Sequence, residues 1–326
     1  MTEFKSFIIG CGKVAGLYDD LNDDLIYSHA RAYSENDKVK IVGCCDLNIK
    51  NSKKLAEKYM IDAYDCHNLD ALAITKPDIV SICTPDDTHF DITMSILESK
   101  FIPKVIFLEK PACSNSNQMK ELLIASNKNN VKIVVNHSRR FDELHKALKH
   151  KIQENEFGKL VKIDAVYYGG WQHNAVHTVD TLHFLFDDEL EFETLISAYD
   201  SPYENDPNLD FKCRFKNNKT IVYITSMNEK YYQLFEFDFK FENARIRIED
   251  FGSRVFFEKK TVNNMNENVL EKSDFFISND LNLSAIQSAV KSLVDNLDFG
   301  SSLNGYLLKD AVKTMNIIWE GKKWIG

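Results

Sequence analysis

The first residues with an evident chemistry are those of Gly10-Cys11-Gly12-Lys13-Val14-Ala15-Gly16, which spell G-x-G-x-x-A directly after an apolar run. Glycines at this spacing let the chain turn tightly and bring backbone N–H groups against a pyrophosphate, and a helix starting behind them adds partial positive charge. The pattern predicts that Gly10, Gly12, Lys13, Val14 and Ala15 hold a dinucleotide; a glycine turn without ligand is the alternative. Asp46, which closes Val42-Gly43-Cys44-Cys45-Asp46, is placed to accept hydrogen bonds from the adenosine ribose. Its charge repels a 2′-phosphate, so NAD is expected in preference to NADP. Asp46 lies further past Gly12 than the about 20 residues usual for such a site. The excess is residues 18–27, with Asp19, Asp20, Asp23 and Asp24. These carboxylates lack the glycine and terminal glutamate of a calcium-binding hand, and the stretch reads as a solvated insertion.

Further polar clusters follow apolar runs: Thr84-Pro85-Asp86-Asp87-Thr88-His89, Glu109-Lys110-Pro111 and Asn136-His137-Ser138-Arg139-Arg140-Phe141. Later, Gly169-Gly170-Trp171-Gln172-His173-Asn174-Ala175-Val176-His177-Thr178-Val179-Asp180 puts His173, His177 and Asp180 on one face of a helix start. Val176, Val179 and Leu182 are then free to face a core.

The elements that must position these groups follow from periodicity. Strands are predicted at 4–9, 39–45, 78–83, 104–108 and 131–136, alternating with helices at 52–59, 69–74, 88–99 and 117–127. That grammar is α/β: a doubly wound parallel sheet, its strands after the first nearly continuous apolar runs because helices cover both faces. Ligands in such sheets sit at the carboxyl ends of the strands, where all the N-terminal clusters fall. Beyond Arg140 come a helix at 142–153, a strand at 160–168, a helix at 175–186 and alternating strands to about 258, including 211–215, 220–225, 235–241 and 245–249. Helices at 283–296 and 303–319 close the chain. This half reads as an α+β domain with a large open, mostly antiparallel sheet. The Asn- and Lys-rich stretch 261–271 is expected to be a solvated loop. The domains are placed at 1–138 for the Rossmann fold and 139–326 for substrate binding and oligomerisation.

With the glycine loop and Asp46, the clusters at Thr84, Glu109 and Asn136 resemble the Gfo/Idh/MocA family, named for glucose-fructose oxidoreductase and inositol dehydrogenase. The resemblance is specific over residues 1–140, moderate to Asp180 and architectural beyond. It implies that Thr84, Pro85, His89, Glu109 and Lys110 meet the cofactor and that Lys110 also points at a substrate hydroxyl, with a cis peptide common at the Lys-Pro step. An ammonium suits that place because it hydrogen-bonds a developing alkoxide. Aligned on the family's D-x-G-x-H-x-x-D segment, His177 becomes the proton acceptor and Asp180 its orienter or a hydroxyl ligand. This chain has His173 where many members carry Asp, which opens a shared His173 and His177 base; a purely structural histidine is the other reading of each. Trp171, Arg139 and Arg140 are implied near the substrate or nicotinamide, a salt bridge being the alternative for the arginines. His183 reads as a satisfied helix histidine. The implied activity is NAD-dependent hydride transfer at a secondary hydroxyl of a sugar, nucleotide sugar or cyclitol, in a homodimer or homotetramer. Two other readings keep the same cofactor: a glycosidase that oxidises its substrate transiently, and a non-enzymatic dinucleotide sensor. A metal hydrolase built on His173, His177 and Asp180 lacks the glutamate of H-E-x-x-H, and no metal is expected.

The whole-chain numbers agree with this class. The 326 residues favour two domains. A net charge of −9 argues against a nucleic-acid partner. No apolar run approaches the roughly 18 residues of a membrane span, and the N-terminus is not laid out as a signal peptide, so a cytoplasmic location is expected. The 7 cysteines, Cys11, Cys44, Cys45, Cys66, Cys83, Cys113 and Cys213, form no C-x-x-C pair and are expected to be reduced, mostly buried thiols.

Overall fold

The computed structural model describes residues 3–22, 24–66, 69–252, 254–274 and 283–325; Asp23 of the insertion lies outside them. The elements run β1 (Phe4–Ile9), α1 (His29–Ser34), β2 (Val39–Cys45), α2 (Ile49–Tyr59), β3 (Ala63–Tyr64), α3 (Asp70–Thr75), β4 (Ile79–Ile82), α4 (His89–Leu97), β5 (Val105–Leu108), α5 (Ser116–Asn129), β6 (Lys132–Val135) and α6 (Ser138–Phe141). They continue with α7 (Glu143–Gln153), β7 (Leu160–Tyr168), α8 (Val176–Phe186), β8 (Leu190–Tyr199), β9 (Asn208–Phe215), β10 (Ile221–Met227), β11 (Glu236–Phe241), β12 (Ala244–Glu249), β13 (Arg254–Val262), β14 (Asn268–Lys272), α9 (Ala285–Phe299) and α10 (Leu308–Lys322). Among the described residues no helix is long and apolar enough to cross a membrane.

The chain forms two compact units, Met1–Glu143 with Leu281–Val312, and Leu144–Asp280 with Lys313–Gly326. The first is built on a parallel sheet of order β3-β2-β1-β4-β5-β6. Every residue of β4 and β5 is buried, as a sheet covered on both faces requires. The structure differs here from a division at residue 138. Ile286, Ala289, Val290 and Leu293 of α9 join the same core as Ile8, Ile41, Val105 and Phe141, so this helix completes the first unit. Its apolar stripe needed a partner, and the sequence does not say which domain supplies it.

Behind the glycines, the expected helix is a single wide turn over Lys13–Leu17, interrupted at Gly16, and the regular helix α1 starts only at His29. The described residues of 18–27 are largely exposed, but Asp19 and Ile26 are buried. Asp19 accepts hydrogen bonds from the N–H groups of Tyr27 at 2.8 Å and Ser28 at 3.1 Å and from the Ser28 hydroxyl. Ser28 in turn caps α1. The insertion is therefore a strap that ends in a helix cap. A second correction concerns the thiols: Cys45, at the end of β2, is joined in a disulfide to Cys66, while Cys11, Cys44, Cys83, Cys113 and Cys213 are free. Those two half-cystines lie far apart in sequence and meet only because β3 pairs with β2.

The second unit carries a sheet of order β14-β13-β12-β11-β7-β10-β9-β8, antiparallel except where β10 pairs with β7. Alternation in β7 buries Ile163, Ala165 and Tyr167, on the face that α8 covers with Val176, Val179, Leu182 and Leu185. The other face is laced with ion pairs, among them Lys240 to Asp164 at 2.5 Å and Arg245 to Asp238 at 2.8 Å. Residues 261–271 are not a loop. They contain the turn and most of β14 in a hairpin with β13, Thr261 opposite Val269. Asn263 closes its turn by accepting from the N–H groups of Met265 and Glu267, both at 2.9 Å. An exposed edge hairpin of this kind needs little apolar surface, which is why composition mimics a loop.

Candidate functional site

In the first unit a cavity of about 920 Å³ opens at the carboxyl ends of the strands, lined by Gly10, Gly12, Lys13, Val14, Asp46, Thr84 and Pro85. Its size suits a bound small molecule. Gly10 has φ +84°, a conformation that only glycine adopts cheaply, and a Cβ there would fall 2.8 Å from the carbonyl carbon of Cys83. Gly12 is different: a Cβ would meet nothing within 4 Å, so its backbone faces open space. Asp46 Oδ2 accepts from the Cys11 N–H at 2.7 Å and Oδ1 from the Asn48 N–H at 2.7 Å, which pins the carboxylate on the cavity wall beside the glycine turn. These features fit a dinucleotide, with room for a pyrophosphate at Gly12 and an acceptor for a ribose at Asp46. Ala15 does not line the cavity; it is fully buried in the core.

Two other expected cofactor residues stand behind that wall. His89 is fully buried, one ring nitrogen 2.9 Å from the Thr84 carbonyl and the other 2.7 Å from that of Pro111. It ties the Thr-Pro turn to the Lys-Pro loop rather than presenting a face to a ligand. Glu109 Oε1 lies 2.8 Å from His29 Nε2 and accepts from Asn136 Nδ2 at 2.6 Å. Burial alone would raise its carboxyl, but the hydrogen bond and charge of His29, with Asn136 and Lys110, bring it below the usual carboxylate range. Lys110 follows, half-buried, with a cis peptide to Pro111. Arg140 is buried and donates to the carbonyls of Gly305 and Asp310, so it anchors the chain after α9; Arg139 is half-buried.

In the second unit, Gly169 and Gly170 have φ +69° and +87° and turn the chain from β7 into a short helical turn before α8. A Cβ on Gly170 would fall 2.4 Å from Asp206 Oδ2, and that closeness serves a purpose. Asp206 accepts from the N–H groups of Gln172 at 2.7 Å and His173 at 2.8 Å, capping the turn. Burial holds the Asp206 carboxyl above its ordinary range against these N–H groups, Lys322 and His173. The His173 ring stacks on Tyr203 with centroids 4.0 Å apart, and His177 meets the edge of Phe235 at 6.4 Å. Asp180 is buried and accepts from the Thr314 hydroxyl at 2.9 Å. His183 completes that chain: Nε2 accepts from the Leu190 N–H at 3.2 Å, leaving Nδ1 to face Thr314 Oγ1 at 3.3 Å. Trp171 corrects the expectation of a substrate contact. It is fully buried among Tyr167, Phe192 and Phe211, and its indole N–H donates to the Ile318 carbonyl at 2.9 Å. Among the described residues no three His, Cys, Asp or Glu side chains form a group that could hold a metal.

Residues 4–137 match the family model described as an oxidoreductase family with an NAD-binding Rossmann fold. Over these residues the chain is similar to the Gfo/Idh/MocA family. Curated relatives include the inositol 2-dehydrogenase of Rhizobium meliloti, 26% identical over 187 residues, which are 52% of this chain and 54% of that protein. The D-glucoside 3-dehydrogenase of Escherichia coli is 27% identical over 154 residues, 47% of this chain and 40% of its own. The chain thus spans about half the length of the curated relatives it matches. Among solved structures, an oxidoreductase of Desulfitobacterium hafniense described as NADPH-dependent superposes with a TM-score of 0.80 at 18% identity, over 99% of this chain and 95% of that one. A dehydrogenase of Chromobacterium violaceum in complex with NADH and UDP-GlcNAcA gives 0.75 at 16% identity, over 99% and 94%. At these identities the structures establish the fold.

Several residues that shape the site were not singled out by the sequence. Asn136 heads a quoted motif at a strand end and could have been singled out as a polar group at the sheet's ligand edge. His29 and Asp206 carried no local signal, since each acts on a partner dozens of residues away.

Proposed function

We propose that the protein is an NAD-dependent oxidoreductase that moves hydride between nicotinamide and a secondary hydroxyl of a sugar, nucleotide sugar or cyclitol. The observation that carries this reading is the cavity on which the open backbone of Gly12 and the pinned carboxylate of Asp46 stand together. NAD, when bound, supplies the hydride acceptor. The chain's own groups do the rest. The N–H groups of the glycine turn hold the pyrophosphate, and Asp46 accepts from the ribose and disfavours a 2′-phosphate. Glu109 is the proposed acceptor for the nicotinamide ribose. Lys110 donates to the substrate oxygen as charge develops on it, and His177 takes the hydroxyl proton, a task that suits an imidazole. Asp180, held by Thr314, sets the helix face on which His177 stands. His173, on its Tyr203 stack, is the remaining substrate contact in this scheme. Substrate dehydrogenation is named for the inositol and glucoside relatives, and no observation favours the transient-oxidation glycosidase or the sensor. A homodimer or homotetramer, to be read by light scattering, belongs to the same proposal.

The test is calorimetric titration with NAD and NADP, followed by NADH formation against a panel of nucleotide sugars, free sugars and inositols. Lys110→Met should bind NAD within about twofold of wild type and lose roughly a hundredfold or more in turnover. Turnover near wild type in that variant, or no binding of NAD by the wild type, would sink the reading.

A further inference from the structure

A fully buried polar cluster of the first unit lies behind Glu109 and is not used by the scheme above. His29 is fully buried, as are Tyr33 on the same helix and Ser81 on β4. His29 Nε2 lies 2.8 Å from Glu109 Oε1, His29 Nδ1 lies 3.0 Å from Ser81 Oγ, and the Tyr33 hydroxyl lies 2.7 Å from the same oxygen. The imidazole is clamped at both nitrogens and packs on the Phe107 ring at 4.6 Å. It cannot turn away from the carboxylate without leaving a buried polar atom unpaired. The strap explains why it sits there: Asp19 binds Ser28, Ser28 caps α1, and His29 is the first residue of that helix.

We infer that His29 is a positioning residue that keeps Glu109 charged and aimed, so that the strap that caps α1 serves the nicotinamide end of the cofactor site. The inference rests on the oxidoreductase reading, in which Glu109 accepts from the nicotinamide ribose. A carboxylate buried this far, with a side chain 13% exposed, takes up a proton readily once its cationic or donating partner is gone. The groups that face it are His29 and, through Ser81, Tyr33 from α1; Cys83 after β4; Lys110 on its own loop; and Asn136 after β6. Cys83 is neutral across the range tested, because burial and the Glu109 charge push its thiol well up. Lys110 and Asn136 are unchanged in every variant below. The change in charge is therefore assigned to His29.

The experiment measures NAD affinity by calorimetry between about pH 5.5 and about pH 8 for wild type, His29→Gln, His29→Ala and Glu109→Gln. Wild type should vary by less than about threefold across the range, because Glu109 stays ionised. His29→Ala should match wild type within a few-fold at the alkaline end and lose about tenfold or more at the acid end, as Glu109, left with only Asn136 and Lys110, protonates more readily. His29→Gln, which keeps a donor, should fall between the two. Glu109→Gln should be weak and insensitive to pH. If His29→Ala does not fold, Ser81→Ala, which frees the far side of the ring and the Tyr33 hydroxyl but leaves the contact to Glu109, should show a smaller shift of the same sign. A purely structural role for His29 predicts lower thermal stability and affinity curves parallel to wild type, and parallel curves would overturn this inference alone. Failure of the wild type to bind NAD at any pH would overturn the oxidoreductase reading and this inference with it.

Discussion

Two glycines in one turn should fail in opposite ways. Gly10 sits at φ +84°, and a methyl there would meet the Thr84 methyl at 2.7 Å and the Cys83 carbonyl carbon and oxygen at 2.8 Å. The Thr84 side chain can rotate, but Cys83 cannot retreat, because its N–H donates to the Ile9 carbonyl at 2.8 Å and β1 is paired with β4 up to that point. The left-handed backbone costs about 1–2 kcal/mol and the overpacking about 1–3 kcal/mol more. Gly10→Ala should thus lose about 3 kcal/mol and, for a domain of this size, melt roughly 6–12 °C lower. Gly12 has an ordinary φ of −81° and open space in front of it. Gly12→Ala should leave the ligand-free melting temperature unchanged or slightly raised, since alanine restricts the unfolded chain. Its methyl would stand where the pyrophosphate is proposed to approach, and NAD affinity should fall by about tenfold or more. Thermal unfolding without ligand and calorimetry with NAD separate the two. Equal destabilisation by both substitutions, or wild-type NAD affinity in Gly12→Ala, would refute the assignment of one glycine to the turn and the other to the ligand.

Asp46→Ser should move the ratio of NAD to NADP affinity toward NADP by about tenfold. It should also cost about 1 kcal/mol of stability, because the Cys11 N–H loses its carboxylate partner; an unaltered ratio in paired titrations would argue against a ribose contact. Peptide mapping after blocking free thiols should find Cys45 linked to Cys66 and the other 5 cysteines alkylated. Reduction of the wild type, or Cys66→Ser, should each lower unfolding free energy by about 3 kcal/mol for a loop of this length; identical denaturation curves with and without dithiothreitol would contradict the link.

What the sequence disclosed was local. The turn of Gly10 and Gly12 and the carboxylate of Asp46 were legible because each sits at the end of a strand whose apolar run announces it, and β-strand ends are where such sheets bind ligands. The antiparallel strands of the second unit were legible through alternation, which a half-covered sheet imposes on its residues. Contacts closed by the fold were not. Trp171 lies in a polar-looking segment, yet its indole fills the core between β7 and α10, because the neighbouring glycines swing it inward. Glu109 drew attention as part of Glu-Lys-Pro, while His29, which fixes its charge, is 80 residues away. The β13–β14 hairpin was hidden by its polar composition; α9 was legible as a helix, but not the unit it joins, because any apolar stripe is ambiguous about which sheet it will cover.

The return of α9 to the first unit also governs how the protein is made. Ile8, Tyr33 and Phe141 leave the ribosome early, but Ile286, Val290 and Leu293, which share their core, emerge only after residues 144–280 of the second unit have been synthesised. Until then the nucleotide-binding half waits with an apolar face uncovered, and a nascent chain in that condition is a natural client for chaperones. By the same logic, a shortened gene that stops at Glu143 should yield aggregates, whereas a fusion that restores 281–312 through a flexible tether should yield a soluble domain.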